Sequence, residues 1–136
     1  MRLLLDSHVL VWSAEGNRRL GRRASSLISD PDSEIWISAA SVWELAAKAA
    51  SGRLRTNPPL DTWLPKTEAR GFRPLAITHQ HALASVALPR HHHDPFDQML
   101  IAQAQIEDLR IVTADSQFDA YDVRVIDATA CIGGKS

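Results

Sequence analysis

Arg2-Leu3-Leu4-Leu5-Asp6-Ser7-His8-Val9 opens the chain with three leucines that run straight into an aspartate, and Ile111-Val112-Thr113-Ala114-Asp115 repeats that arrangement near the end. Short continuous apolar runs of this kind read as strands buried on both faces, the habit of a parallel sheet covered by helices. In open α/β sheets the ligand crevice lies outside the carboxyl ends of the strands, so an acid placed there faces the crevice rather than bulk solvent. The segments between the two runs supply the rest of the pattern. Ser7 to Ala14 reads as a short helix and Asn17 to Gly21 as a break. Arg22 to Ser29 reads as a helix stopped by Asp30-Pro31-Asp32, and Glu34 to Ser38 alternates as a strand. Residues 39 to 51 are strong helix formers capped by Ser38 or Ser41 and ended by Gly52, and Asn57-Pro58-Pro59 breaks the chain again. A helix from Asp61 to Arg70, a strand from Arg73 to Ile77 and a helix capped by Thr78 and running to Ala87 follow. After a loop at Pro89 to His93 come a helix from Phe96 to Asp108, a strand from Arg110 to Thr113, a turn near Asp119 to Asp122 and a last strand from Val123 to Ile126. Strands separated by helices predict an α/β fold with a central parallel sheet.

Size and composition narrow the class. A chain of 136 residues suits one domain over residues 1–136, and 45% hydrophobic with 23% charged residues is ordinary for a globular protein. No stretch has the apolar length needed to cross a bilayer, the three leucines are too few for the core of a signal peptide, and Cys131 has no disulfide partner in the chain. A cytoplasmic protein without membrane insertion is therefore expected. A net charge of -1 argues against coating nucleic acid by bulk charge, although a local basic patch can still bind phosphate.

Four acids carry the chemistry, and each also has a plain explanation. Asp6 can cap the helix that follows it. Asp94, with Pro95 behind it and Asp97 at the third helical position, makes an acidic version of a capping box. Asp97 nevertheless heads the face carrying Leu100, Ile101 and Ala104, which should be buried. Glu44 has Lys48 four residues on, a helix ion pair, yet its helix reads as largely buried among Val42, Trp43, Leu45 and alanines. Asp115 can belong to a local turn. The weight comes from convergence, because all four can meet at one end of one sheet. Crowding and burial raise carboxylate pKa values and oppose ionisation, and a bound divalent cation removes that conflict. Oxygen-only ligands suit magnesium or manganese, and the chemistry such an ion supplies is hydrolysis of a phosphate ester.

Other features read as decoys. His91-His92-His93 is a loop in which neighbouring rings point different ways, not a spaced zinc set, and one cysteine adds no sulfur partners. Trp12, Trp36, Trp43 and Trp63 are expected in the core or at interfaces rather than as stacking platforms, and the Arg18, Arg19, Arg22, Arg23 group suits a solvated helix face as well as phosphate. Gly133-Gly134-Lys135-Ser136 lacks the earlier glycine and the following helix of a phosphate-binding loop.

At this point the residues resemble a known family, the PIN domains, and within it the VapC-type toxins of bacterial and archaeal toxin-antitoxin pairs. Leu4 to Leu10 is similar to the opening motif, Ser38 to Glu44 to the second, His93 to Asp97 with Ile101 to Ala104 to the third, and Val112 to Asp115 to the fourth. The likeness spans nearly the whole chain, and the order and spacing of the motifs are more specific than any one of them. It implies a three-layer α/β/α fold and a magnesium- or manganese-dependent endoribonuclease. By the same resemblance Asp6, Glu44, Asp97 and Asp115 form the catalytic acids and Asp6 and Asp97 bind metal, with Asp94 assisting and Thr113 supporting the pocket by hydrogen bonding. Its implied partners are an RNA substrate, a small separate antitoxin and a second copy of the chain, assembled as a homodimer or a larger complex.

Two other classes remain to be distinguished. A phosphoacceptor receiver expects paired acids after the first strand, an acid at the third and a late lysine. This chain has Asp6 alone, Leu75-Ala76-Ile77 without an acid, and no lysine between Lys66 and Lys135. A non-catalytic module that grips RNA or protein is the alternative on the same fold. Four carboxylates facing a polyanion repel it unless a cation is present, so metal-independent RNA binding is the property that would identify that module.

Overall fold

A computed structural model describes residues 1–91 and 94–131. The expectations placed on His92, His93 and Gly133 to Ser136 lie outside those residues. Five parallel strands form one sheet: β1 (Arg2–Leu5), β2 (Glu34–Ser38), β3 (Arg73–Leu75), β4 (Arg110–Thr113) and β5 (Val125–Asp127), in the order β3-β2-β1-β4-β5. The α-helices among the described residues are α1 (Ser7–Glu15), α2 (Arg22–Ser29), α3 (Ala39–Ala50), α4 (Leu60–Ala69), α5 (His79–Ala87) and α6 (Pro95–Glu107).

The leucine run explains the layering. Because successive strand side chains point to opposite faces, Leu3 and Leu5 enter one core and Leu4 the other. The first core is closed by α1, α2, Leu45 of α3 and Trp63 of α4. The second is closed by Leu100, Ile101 and Ala104 of α6 with Phe118 and Tyr121. All three leucines are wholly inaccessible to solvent. Helices therefore cover both faces, as expected for α/β/α layering. Among the described residues no helix is long and apolar enough to cross a membrane.

Two strands are shifted from their expected limits for reasons of pairing. β3 stops at Leu75 because its partner there is Ser38, the last residue of β2, after which α3 begins and offers no ladder for Ala76 and Ile77. β5 starts at Val125, the partner of Ile111, since a strand reaching back to Val123 would need Leu109, which closes the end of α6 by bonding Ala104. The turn expected at Asp119 to Asp122 begins earlier, as a 3-10 helix over Ser116–Ala120. The helix expected to be largely buried, residues 39 to 51, is not: on α3 only Ala40, Ser41, Glu44 and Leu45 are buried, and its other alanines are exposed, as is Trp43. Alanine is as strong a helix former in water as in a core, so a run of it does not report burial.

Gly21, the N-cap of α2, ties the front of the chain to its end. Its amide donates to the Ala128 carbonyl at 2.7 Å, and a Cβ built on it would lie 2.2 Å from the Ala130 carbonyl oxygen. Gly21→Ala is therefore expected to cost about 1–3 kcal/mol by forcing backbone apart. Chemical denaturation of both proteins checks this, with an unchanged midpoint as the contrary result.

Candidate active site

The strand order reverses between β1 and β4, the place where an open α/β sheet leaves a crevice at its carboxyl edge. Asp6 directly follows β1 and Thr113 ends β4; the Asp6 amide donates to the Val112 carbonyl at 3.0 Å. The Thr113 hydroxyl donates to Asp6 Oδ2 at 2.7 Å and accepts from the Asp115 amide at 3.0 Å, so one side chain joins the acids of the two central strands.

Helix starts converge on the same edge. Asp6 is the N-cap of α1, accepting from the Ser7 amide at 2.6 Å, and Ser38 caps α3 by accepting from the Ala40 amide. Asp94 caps α6 through the amides of Phe96 and Asp97, with Pro95 in the first turn, and Asp115 caps the 3-10 helix through the Gln117 amide. The capping explanations for Asp6, Asp94 and Asp115 thus hold alongside any chemical role. Positive helix ends also offset part of the repulsion between the carboxylates gathered there.

Glu44 arrives from the middle of α3. It is 9% exposed, accepts from the Ser7 hydroxyl at 2.9 Å and pairs with Lys48 at 3.1 Å, so the ion pair and the burial are both real. Ser7 is the residue that reasoning on the sequence overlooked. Its hydroxyl, 1% exposed, stands 2.9 Å from Glu44 and 3.5 Å from Asp6, linking the end of β1 to α3. The available signal was a serine directly after a strand-end aspartate, at the first position of a helix.

The electrostatics follow from this crowding. Burial, then the negative charges of Asp94, Asp6, Asp115 and Glu44, push the Asp97 carboxyl up to about 8. Asp97 is 7% exposed, at the third position of α6. Asp6 is also raised, by burial first, against opposing help from the Thr113 hydroxyl, His8 and the Ser7 amide. Each acid predicted from the sequence is thus placed around Asp97, with Asp6, Glu44 and Asp97 buried, Asp94 half-buried and Asp115 exposed at the rim.

Among the described residues, no group of three or more His, Cys, Asp or Glu side chains is arranged to hold a metal ion by itself. Magnesium requires less, because it keeps several waters and takes one or two carboxylates. The donor set fits a hard cation: burial and the carboxylates of Asp94, Asp6, Asp115 and Glu44 all oppose ionisation of Asp97, and oxygen ligands of this kind suit magnesium or manganese.

His81 and His91 have other work. His81 is fully buried; its Nδ1 accepts from the Thr78 amide at 3.1 Å in a capping box, and its Nε2 meets Glu107 at 2.8 Å, fastening α5 to α6. The His91 ring packs edge to face on Tyr121.

Comparison with known proteins matches residues 3–124 to the family described as PIN domain. A protein of Mycobacterium tuberculosis named Ribonuclease VapC22 is 35% identical over 120 residues, spanning 88% of this chain and 91% of that one. Among solved structures, VapBC2 from Rickettsia felis, bound to a DNA fragment from the promoter, superposes with a TM-score of 0.72 at 13% identity over 93% of this chain and 98% of that one. FitAcB from Neisseria gonorrhoeae gives a TM-score of 0.67 at 24% identity over 93% and 97%. At those identities the structural likeness is one of fold.

Proposed function

The chain belongs to the PIN domain family, and on that premise we propose that it is a metal-dependent endoribonuclease, the toxin of a toxin-antitoxin pair acting in the cytoplasm. The observation that carries this reading is the opposition at Asp97, a buried carboxyl ringed by four other acids at the switch point of the sheet. A protein accepts such a cluster where a cation and a substrate resolve it.

Asp6 and Asp97 are the groups that would hold magnesium or manganese. Such an ion, when bound, supplies charge neutralisation at the phosphodiester and a lowered pKa for the attacking water. The chain's own residues do the remaining work. Thr113 and the Ser7 amide fix the two oxygens of Asp6. Ser7 and Lys48 hold the two oxygens of Glu44, leaving that carboxylate set to orient water. Asp115, at the solvent edge, is placed to accept a hydrogen bond from water entering the site. Asp94 keeps α6 in register through its capping bonds and adds charge beside Asp97.

The relative from Mycobacterium tuberculosis is named a ribonuclease, and the Rickettsia felis neighbour is a toxin-antitoxin assembly, which supports RNA as substrate and an antitoxin as partner. An apolar groove of about 670 Å³ is lined by α3 and α4, with Trp43, the chain neighbour of Glu44, on its wall, and suits a segment of such a partner. A second copy of the chain fits α5, whose Leu83 and Val86 are largely exposed, with Ile77, just before the helix, exposed in part. Leu83→Arg is expected to weaken self-association by about 100-fold, measured by sedimentation, because a charge would replace a central apolar contact. An unchanged dimer would place the interface elsewhere.

The test of the function is incubation of purified, antitoxin-free protein with total cellular RNA in magnesium, in manganese and in chelator. Discrete fragments that require metal support the reading. Intact RNA with folded protein, together with RNA binding that needs no metal, would favour the non-catalytic binding module.

A further inference from the structure

Trp43 alone of the four tryptophans, which were expected in the core or at interfaces, lies outside the core. Trp63 is buried and Trp12 and Trp36 pack partly into the two cores, whereas Trp43 is 67% exposed on α3. Its ring is braced all the same: it packs edge to face on Phe96 of α6, with centroids 5.4 Å apart and planes at 79°. Trp43 is the chain neighbour of Glu44 and Phe96 that of Asp97, so the two helices bring an aromatic pair to the side of two buried acids.

A cleft of about 470 Å³ adjoins this pair, lined by Glu44, Lys48, Arg53, Asp94 and Phe96, with Ala47, one turn beyond Trp43, on its wall. Lys48 is anchored on Glu44 at 3.1 Å, and Arg53 Nε donates to Ser51 Oγ at 3.0 Å, so both cations are held at the mouth of the acidic site. An exposed indole braced on Phe96, whose own ring lines a cleft carrying Lys48 and Arg53, offers the two elements by which single-stranded nucleic acid is gripped: bases stack on an aromatic face and phosphates meet cations.

We infer that Trp43, supported by Phe96, stacks a base of the RNA next to the scissile phosphate, while Lys48 and Arg53 hold the neighbouring phosphate. This rests on the ribonuclease reading and adds the residues that select and seat the strand. Trp43 also borders the apolar groove between α3 and α4. The cleft lined by Phe96 carries Lys48 and Arg53 whereas the groove is walled mainly by apolar residues, and that charge favours RNA over an apolar protein segment on the Phe96 side of the pair.

The probe is a labelled single-stranded oligoribonucleotide spanning the site cut fastest in total RNA, with a second version carrying an abasic nucleotide at each flanking position in turn. Trp43→Ala is expected to raise KM by roughly 10- to 100-fold with kcat and the thermal melt unchanged, and Trp43→Phe to restore most of the loss. One abasic position should weaken binding to the native protein by a similar factor and leave Trp43→Ala unaffected, a coupling that a merely structural tryptophan would not produce. Arg53→Met should flatten the dependence of KM on salt. Native-like KM in Trp43→Ala, with the native protein cutting normally, would overturn this inference alone and assign Trp43 to a protein contact. A native protein that cuts no RNA would overturn the ribonuclease reading and this inference with it.

Discussion

Replacing Asp97 by asparagine is expected to lower metal-dependent RNA cleavage by on the order of a thousandfold or more, and to make the metal-free protein more stable at neutral pH. Both effects come from one carboxyl. In the folded chain burial and the charges of Asp94, Asp6, Asp115 and Glu44 push it up to about 8, whereas the unfolded chain releases the same proton near 3.8. Between those values the folded state keeps a proton that the unfolded state has lost. The stability of the metal-free protein therefore falls as pH rises through that window, by up to about 1.4 kcal/mol per pH unit, and levels off above it. Asparagine has nearly the same shape and never ionises, so the variant loses this slope. Thermal melts from pH 4 to 9 in chelator check the result, with parallel profiles for the two proteins as the contrary finding. Added magnesium or manganese should raise the melting temperature of the native protein and not that of the variant.

Thr113→Val is expected to have the next largest effect. The hydroxyl donates to Asp6 at 2.7 Å and accepts from the Asp115 amide at 3.0 Å at a position 2% exposed. Valine fills the same space and does neither. The buried donor and acceptor left behind cost about 1–3 kcal/mol, and Asp6 loses the hydrogen bond that most opposes its upward shift. Residues that orient metal ligands typically account for about 10- to 100-fold in metal affinity or activity, so activity should fall by that factor and more manganese should be needed for half-maximal cleavage. Thr113→Ser keeps the hydroxyl and should recover most of both. Equal loss in the serine variant would mean that the methyl group, not the hydrogen bond, matters.

What could be read from the sequence was whatever depends on local pattern. The strand limits at Arg2 to Leu5, Glu34 to Ser38 and Arg110 to Thr113 follow from short apolar or alternating runs, and the placement of Asp6 beyond β1 follows from the first of them. The caps at Ser38, Thr78 and Asp94 are likewise chemical signals carried by single residues. Tertiary geometry supplied the rest. Glu44 had two readings that looked exclusive, buried acid and helix ion pair, and the structure gives it both because Lys48 reaches over the edge of a helix that is buried on one side only. Ser7 carries no pattern that marks it as a bridge to a residue thirty-seven positions away. Trp43 reads by type as a core or interface residue, and only the packing of α3 against α6 shows it at the surface on Phe96.

The carboxylates at the β1/β4 switch point are central to this account, and manganese is the direct probe of them. Crystals grown with manganese chloride and measured at the metal's absorption edge should give an anomalous peak in contact with both Asp6 and Asp97, absent from Asp97→Asn crystals grown alongside. A protein that cuts RNA in manganese but shows its anomalous peak away from these two residues would contradict the account.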